Sequence, residues 1–371
     1  MRVLMTGGGT AGHINPAIAI ANTIKKNIPN AEIAFVGTKR GLENKLVVNE
    51  GYKLYHVDIM GISRSLSLKN FKALWLMITS QIEAKKIIKE FKPDIVIGTG
   101  GYVCWPALKV AARMGIPTIA HESNARPGLA IKQLQGDLDR ILVNFEDTKK
   151  YIKNKEKVMH VGNPIRGAFG GLDYNEARAK LGITDDQTYI LSFGGSLGAH
   201  RINEIAFDYM KKRVKDNKKL VHHHATGGYD YKEFSEKFNN EHLELYENLK
   251  LVEYIHDMAV RMSAADIIIC RAGAMTISEL AMMRKACIMI PSPNVVDNHQ
   301  YKNAKVLADA NAVVMIEESY LTNESFENAL EELIDSKERR EELSKNISIF
   351  ANTDANKRIY DEIISLTKVK K

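Results

Sequence analysis

The sequence has only three cysteines, Cys104, Cys270 and Cys287, and none stands in C-x-x-C spacing. That excludes a disulfide framework and a zinc site and fits a reducing compartment, where such residues serve as small apolar side chains. No stretch reaches the roughly 18 apolar residues that would span a bilayer, because Gly, Pro and polar residues break every run. A signal peptide is lacking too: Arg2 leads directly into the strand-like Val3-Leu4-Met5, so the expectation is a cytoplasmic protein. Zinc-finger spacing, RNP aromatics and a heptad-bearing basic region are also missing. The net charge of +7 is therefore read as favouring an anionic membrane surface or phosphorylated substrates, not nucleic acid.

What is present is a repeated alternation. Near-continuous apolar runs at residues 33–36, 95–97, 118–120 and 141–143 alternate with helical patterns, as in a parallel sheet covered on both faces. After Gly162-Asn163-Pro164 the pattern restarts, with runs at 189–193, 220–222, 267–269 and 287–290. A chain of 371 residues at 45% hydrophobic composition has room for two such cores. The fold class expected is α/β, two Rossmann-like doubly wound parallel-sheet domains. The expected boundaries are 1–163, joined by a C-terminal helix at about 350–371, and 164–349.

The first loop, MTGGGTAGHINPA, carries Gly7, Gly9 and Gly12 in G-x-G-x-x-G spacing between a strand and a helix. A dinucleotide site also needs an acid at the end of the second strand to bind ribose. Here that strand ends in Gly37-Thr38-Lys39-Arg40, and the acid is missing. What remains is a phosphate-friendly loop with His13 at its end, beside a helix N-terminus that disfavours imidazolium and keeps the ring able to accept a proton.

Eight segments together resemble a known family: GGGTAGHINPA, GTGGYVCWPA (98–107), HESNARPGLA (121–130), GNPIR (162–166), GGSLGAHRIN (194–203), EYIHDMA (253–259), CRAGAMTISELA (270–281) and DNHQYKNA (297–304). In this order they are similar to the bacterial glycosyltransferases that add N-acetylglucosamine to undecaprenyl-pyrophosphoryl-N-acetylmuramyl-pentapeptide, making lipid II for peptidoglycan. The resemblance implies the GT-B architecture, with two domains facing across a cleft. It implies an N-terminal domain for the lipid-linked acceptor, a C-terminal domain for UDP-N-acetylglucosamine, and inversion by direct displacement.

The same resemblance assigns residues. Gly9, Thr10, Gly12, Gly100, Gly101 and Tyr102 would face the acceptor pyrophosphate. Thr10, Ala11 and Gly12 would also approach the donor, with Asn124, Arg166, Ser196 and Gln300 lining its pocket and Ile255 reading uracil through its backbone. The helix opening at Ala274, Met275 and Thr276, continued by Ile277 and Ser278, would hold the donor phosphates, and Glu279 the ribose hydroxyls. His13 is the expected base for the acceptor 4-hydroxyl, with Glu122 the alternative. Three positions depart from the family pattern: Ala11 for Gly, Ser123 for Gln and Ala272 for Ser.

Other signals are discounted. Asp137-Leu138-Asp139 has the D-x-D form of a metal-binding glycosyltransferase motif but precedes a strand instead of following one. The run His222-His223-His224 alternates across a strand and cannot converge on one ion, His224 at most approaching the donor side. No metal or cofactor is expected, a helix N-terminus sufficing for the diphosphate. The segment 64–92, by contrast, crowds Leu68, Phe71, Trp75, Leu76 and Met77 beside basic residues such as Lys72. This suggests a patch on an anionic membrane surface, a peripheral location on the cytoplasmic face. Two alternatives stay open: another UDP-sugar enzyme of the same architecture, such as a glycolipid synthase or non-hydrolysing epimerase, and an NAD-binding dehydrogenase or nucleotide-binding module.

Overall fold

The apolar runs become the inner strands of two all-parallel sheets. The computed structural model describes residues 1–61, 69–165, 169, 171–195 and 197–369, and of residues 69–72, 74, 368 and 369 the backbone alone. By internal contacts the chain divides into two units, Met1–Ile165 with Asn352–Lys371, and Arg166–Ala351.

The first unit runs β1 (Arg2–Thr6), α1 (Ala11–Asn27), β2 (Glu32–Gly37), α2 (Glu43–Asn49), β3 (Lys53–His56), α3 (Lys69–Phe91), β4 (Ile95–Gly98), α4 (Cys104–Arg113), β5 (Thr118–Glu122), α5 (Leu129–Leu134), β6 (Arg140–Val143) and β7 (Val158–His160). Its strand order is β3-β2-β1-β4-β5-β6-β7, with Val3 in register with both Ile33 and Ile95. Strands β4 and β5 are buried along their whole length, because helices cover both faces and leave no side of the pleat for polar residues.

The second unit runs α6 (Tyr174–Leu181), β8 (Thr188–Phe193), α7 (His200–Tyr209), β9 (Leu220–Ala225), α8 (Tyr231–Asn240), β10 (Leu249–Val252), α9 (Met258–Ala264), β11 (Ile267–Cys270), α10 (Ala274–Met283), β12 (Ala286–Met289), α11 (His299–Asp309), β13 (Val314–Met315), α12 (Asn323–Asp335) and α13 (Lys337–Ile347). Its order, β10-β9-β8-β11-β12-β13, repeats the same winding. The last helix, α14 (Ala355–Val369), returns to the first unit. There its Ile359, Ile363 and Leu366 join Ile14, Ile18 and Ile24 in one core. Burial of this kind contributes on the order of 1.5–3 kcal/mol per side chain.

In both sheets the order reverses beside the first strand. The switch point falls between β1 and β4 in one unit and between β8 and β11 in the other. Ligands of open α/β sheets bind outside the strand C-termini at this point, where neighbouring loops diverge to opposite faces.

Candidate functional site

The loops at the first switch point are those with glycines. After β1 come Gly7 to Thr10, and after β4 come Thr99 to Tyr102. Gly9, Thr10 and Gly12 are exposed, and Gly7 and Gly8 are buried beneath them. Ala11 is the first residue of α1 and is not among the residues with positive φ, so its methyl strains no backbone.

His13 lies in the first turn of α1. Its Nδ1 stands 3.2 Å from the Gly8 carbonyl oxygen and 3.2 Å from Thr10 Oγ1. A carbonyl can only accept, so the tautomer that bonds Gly8 carries its proton on Nδ1 and its lone pair on Nε2. The ring passes directly over Gly100, whose φ of +111° favours glycine. Thr99 Oγ1 donates to the His13 carbonyl at 2.6 Å, tying the two loops together.

Glu122, at the end of β5, is 4% exposed. Its Oε1 accepts Asn124 N at 3.0 Å and Asn124 Nδ2 at 3.1 Å, and its Oε2 accepts Gly128 N at 2.7 Å. Burial pushes this carboxyl above the usual range, against the pull of those donors. Both oxygens organise the 123–128 turn, and Asn124 is fixed in the same network.

In the second unit the described residues of the loop after β8, Gly194, Gly195 and Leu197 to Ala199, and the turn after β11, Arg271 to Gly273, stand at the switch point. Helix α10 opens there with no side-chain cap. The N–H groups of Ala274, Met275 and Thr276 belong to its first turn and point along the axis toward the N-terminal end. Ile277 N and Ser278 Oγ bond back to Gly273 O (2.9 Å) and Ala274 O (3.1 Å), so these two serve the helix itself. Glu279 is half-buried one turn on, and Ala272 before the helix is fully buried. Ile255 is 4% exposed, between β10 and α9. Gln300 Oε1 accepts Ser292 N at 2.9 Å, at the start of α11. Asp297 and Asn298 just before it both have positive φ (58° and 48°), two consecutive non-glycine residues in the left-handed region. Asp and Asn tolerate this region better than other non-glycine residues, and the pair turns the chain into α11. Arg166 and Ser196 lie outside the described residues.

Sequence features set aside have structural partners. Asp137 pairs with Lys109 at 2.7 Å, and Asp139 accepts Thr118 N at 2.9 Å at the N-terminal edge of the sheet. His222 and His224 both bond Ser192 Oγ at 2.7 Å, while His223, on the opposite face, meets Tyr189 and Arg261. His224 is fully buried and its Nε2 bonds Asn203, so it does not reach a surface. His200, Asp230 and Glu233 bring three potential ligand atoms within 4.8 Å of one another, but Asn203 already occupies Asp230 and Lys237 occupies Glu233.

On α3, Trp75 (66% exposed), Ile78 (59%) and Ile82 (56%) form one outward stripe, while Ala84, Ile88 and Phe91 face the core. Leu76 is half-buried and not at the centre of the stripe, and Ile82 belongs to it although the sequence reading did not include it. Leu68 and the side chains of Phe71 and Lys72 lie outside the described residues. Among the described residues no helix is long and apolar enough to cross a membrane.

Two doubly wound sheets, each with loop pairs at its own switch point, define a class: two-domain α/β enzymes that handle nucleotides and phosphates. The N-terminal domain of Glycosyltransferase family 28 matches residues 3–143 and its C-terminal domain residues 189–359. The chain belongs to this glycosyltransferase family. A relative from Thermoanaerobacter pseudethanolicus, named UDP-N-acetylglucosamine–N-acetylmuramyl-(pentapeptide) pyrophosphoryl-undecaprenol N-acetylglucosamine transferase, is 44% identical over 99% of this chain and 100% of its own length. The crystal structure of Acinetobacter baumannii MurG superposes with a TM-score of 0.77 at 29% identity, covering 98% of this chain and 99% of that one. A UDP-GlcNAc 2-epimerase from Neisseria meningitidis bound to UDP-GlcNAc shares the fold at 16% identity and a TM-score of 0.66, over 98% of this chain and 100% of its own.

Proposed function

We propose that this glycosyltransferase moves N-acetylglucosamine from UDP-N-acetylglucosamine to the 4-hydroxyl of undecaprenyl-pyrophosphoryl-N-acetylmuramyl-pentapeptide, the step from lipid I to lipid II, with inversion at the anomeric carbon. The observation that carries the chemistry is the Nδ1 contact of His13 with Gly8 O, which leaves Nε2 as the proton acceptor. As the hydroxyl oxygen bonds to the anomeric carbon, its proton passes to Nε2 and the sugar–phosphate bond breaks, the electron pair leaving on UDP. Glu122 is the weaker base because both its oxygens are committed to the 123–128 turn.

Gly9, Thr10, Gly12, Gly100, Gly101 and Tyr102 take the acceptor pyrophosphate. The first-turn amides of α10 receive the charge that develops on UDP, worth most at a helix N-terminus. Glu279 accepts the ribose hydroxyls, the Ile255 backbone reads uracil, Gln300 reads the sugar, and Ser196, Arg166 and Asn124 complete the donor contacts. The α3 stripe, with Lys85, Lys86 and Lys89 beyond it, sits on anionic lipid at the cytoplasmic face of the membrane.

The test is transfer of labelled N-acetylglucosamine to a lipid-linked muramyl-pentapeptide, with UDP-GlcNAc epimerisation and NAD binding measured in parallel. Epimerisation without transfer, or tighter binding of NAD than of UDP-N-acetylglucosamine, would overturn the reading.

A further inference from the structure

The peptide unit between Gly8 and Gly9 is held at both of its polar atoms. Its carbonyl oxygen meets His13 Nδ1 at 3.2 Å, and its N–H donates to Glu43 Oε2 at 3.3 Å. Glu43 is fully buried, and its Oε1 accepts Thr38 N at 2.7 Å and Thr38 Oγ1 at 2.9 Å. Glycines from separate segments make room for it. A Cβ at Gly8 would stand 2.9 Å from Oε1, one at Gly37 2.5 Å from Cγ, and one at Gly41 would collide with the carboxylate outright. The sequence reading found no acid at the end of β2. The fold delivers one there from α2, turned inward beneath the glycine loop and not outward toward a ribose.

We propose that Glu43 orients His13 through the Gly8–Gly9 peptide, a positioning residue for the proton transfer. The proposal rests on the reading of His13 as the base. A carboxylate on a peptide N–H polarises the amide and makes the carbonyl at its other end a stronger acceptor. The stronger acceptor holds the imidazole proton on Nδ1, and the lone pair stays on Nε2. When Nε2 takes the hydroxyl proton, the positive charge spreads to Nδ1–H, and its bond to Gly8 O becomes charge-assisted. The arrangement is a carboxylate–imidazole pair with a peptide plane between its members. It keeps the acid out of the space where an anionic pyrophosphate would bind, a place a directly paired carboxylate would fill with like charge.

The experiment uses the full chain labelled with 15N-histidine. The His13 ring resonances are assigned by their loss in His13→Ala, and Glu43→Gln is compared with the unaltered protein. The expected result is an Nδ1–H tautomer in the unaltered protein and a mixture of both tautomers in Glu43→Gln. kcat should fall roughly tenfold, with KM for UDP-N-acetylglucosamine held within about twofold. Thr38→Val removes the Oγ1 bond and leaves the peptide clamp, so it should lower Tm without altering the tautomer. If Glu43→Gln does not fold, Glu43→Asp, one carbon too short to reach Gly9, carries the same measurement. An unchanged tautomer and kcat in the folded Glu43 variant overturn the proposal while His13 remains the base. Normal turnover in His13→Ala overturns the base reading and the proposal with it.

Discussion

Gly100 has no side chain where the ring of His13 passes: a Cβ built there would stand 2.5 Å from His13 Cδ2 and 3.0 Å from Nε2. Gly100→Ala should therefore push the ring off its position and strain a backbone at φ +111°. The expected outcome is a kcat lowered at least about tenfold, since small misplacements of a reacting group are costly. Isothermal titration with UDP-N-acetylglucosamine should give an unchanged Kd, and an unchanged kcat would separate Gly100 from the chemistry.

His13→Ala removes the proton acceptor and leaves the donor loops of the second unit intact. Turnover should drop by about 10²–10⁴, the range of general base catalysis. Donor affinity should stay the same. Steady-state kinetics with a lipid-linked acceptor decide it, and turnover near that of the unaltered enzyme eliminates His13.

Glu122→Gln replaces one accepting oxygen with an amide nitrogen that faces a backbone N–H donor. The turn from Ser123 to Gly128 should loosen, costing about 1–3 kcal/mol as an unsatisfied buried group does. The measurement is Tm beside kcat, and the expected kcat loss is smaller than that of His13→Ala. Full stability with a kcat loss equal to that of His13→Ala would transfer the role of base to Glu122.

Stability should fall on mild acidification. Burial lowers the His224 and His121 pKa values to about 4, and that of His223 to about 3, against 6.5 for a free imidazole. The folded protein keeps these rings neutral, so below pH 6.5 the unfolded chain binds more protons. The contribution is fully present above that pH and is lost as pH falls toward 4. Each ring withdraws about 1.4 kcal/mol per pH unit in that window. Urea midpoints followed by circular dichroism at pH 7.5 and 5.5 should show the decrease, and equal midpoints would contradict it.

The α3 stripe is testable by vesicle flotation. The protein should float with anionic liposomes, and a Trp75→Glu, Leu76→Glu variant should float less. Adding Ile82→Glu, on the exposed side of the same helix, should act more strongly than Leu76→Glu, which is half-buried. Flotation of the triple variant would mean that the stripe is not the contact.

What the sequence determined by itself was the inner frame. Runs such as 95–97 and 267–269 are apolar throughout because strands covered on both faces have no polar side, and each proved to be an inner strand. The strands left unread, β3, β7, β10 and β13, are all sheet edges. Lys53-Leu54-Tyr55-His56, for example, is only partly buried, so its composition does not differ from that of a loop. The glycine loops were legible too, because their spacing marks a strand-to-helix turn.

Only the tertiary structure decided which polar atoms meet. Glu43 is distant in sequence from Gly9, and no local pattern announces that α2 brings its carboxylate under the first loop. The commitment of Glu122 to Gly128 and the contact of His13 Nδ1 with Gly8 O are likewise set by neighbours that the fold supplies. Burial patterns are written along the chain because the faces of a helix or strand recur at a fixed spacing, so each environment returns with the period of the element. Hydrogen-bond partners are not, because a buried polar atom takes whichever partner the packing delivers.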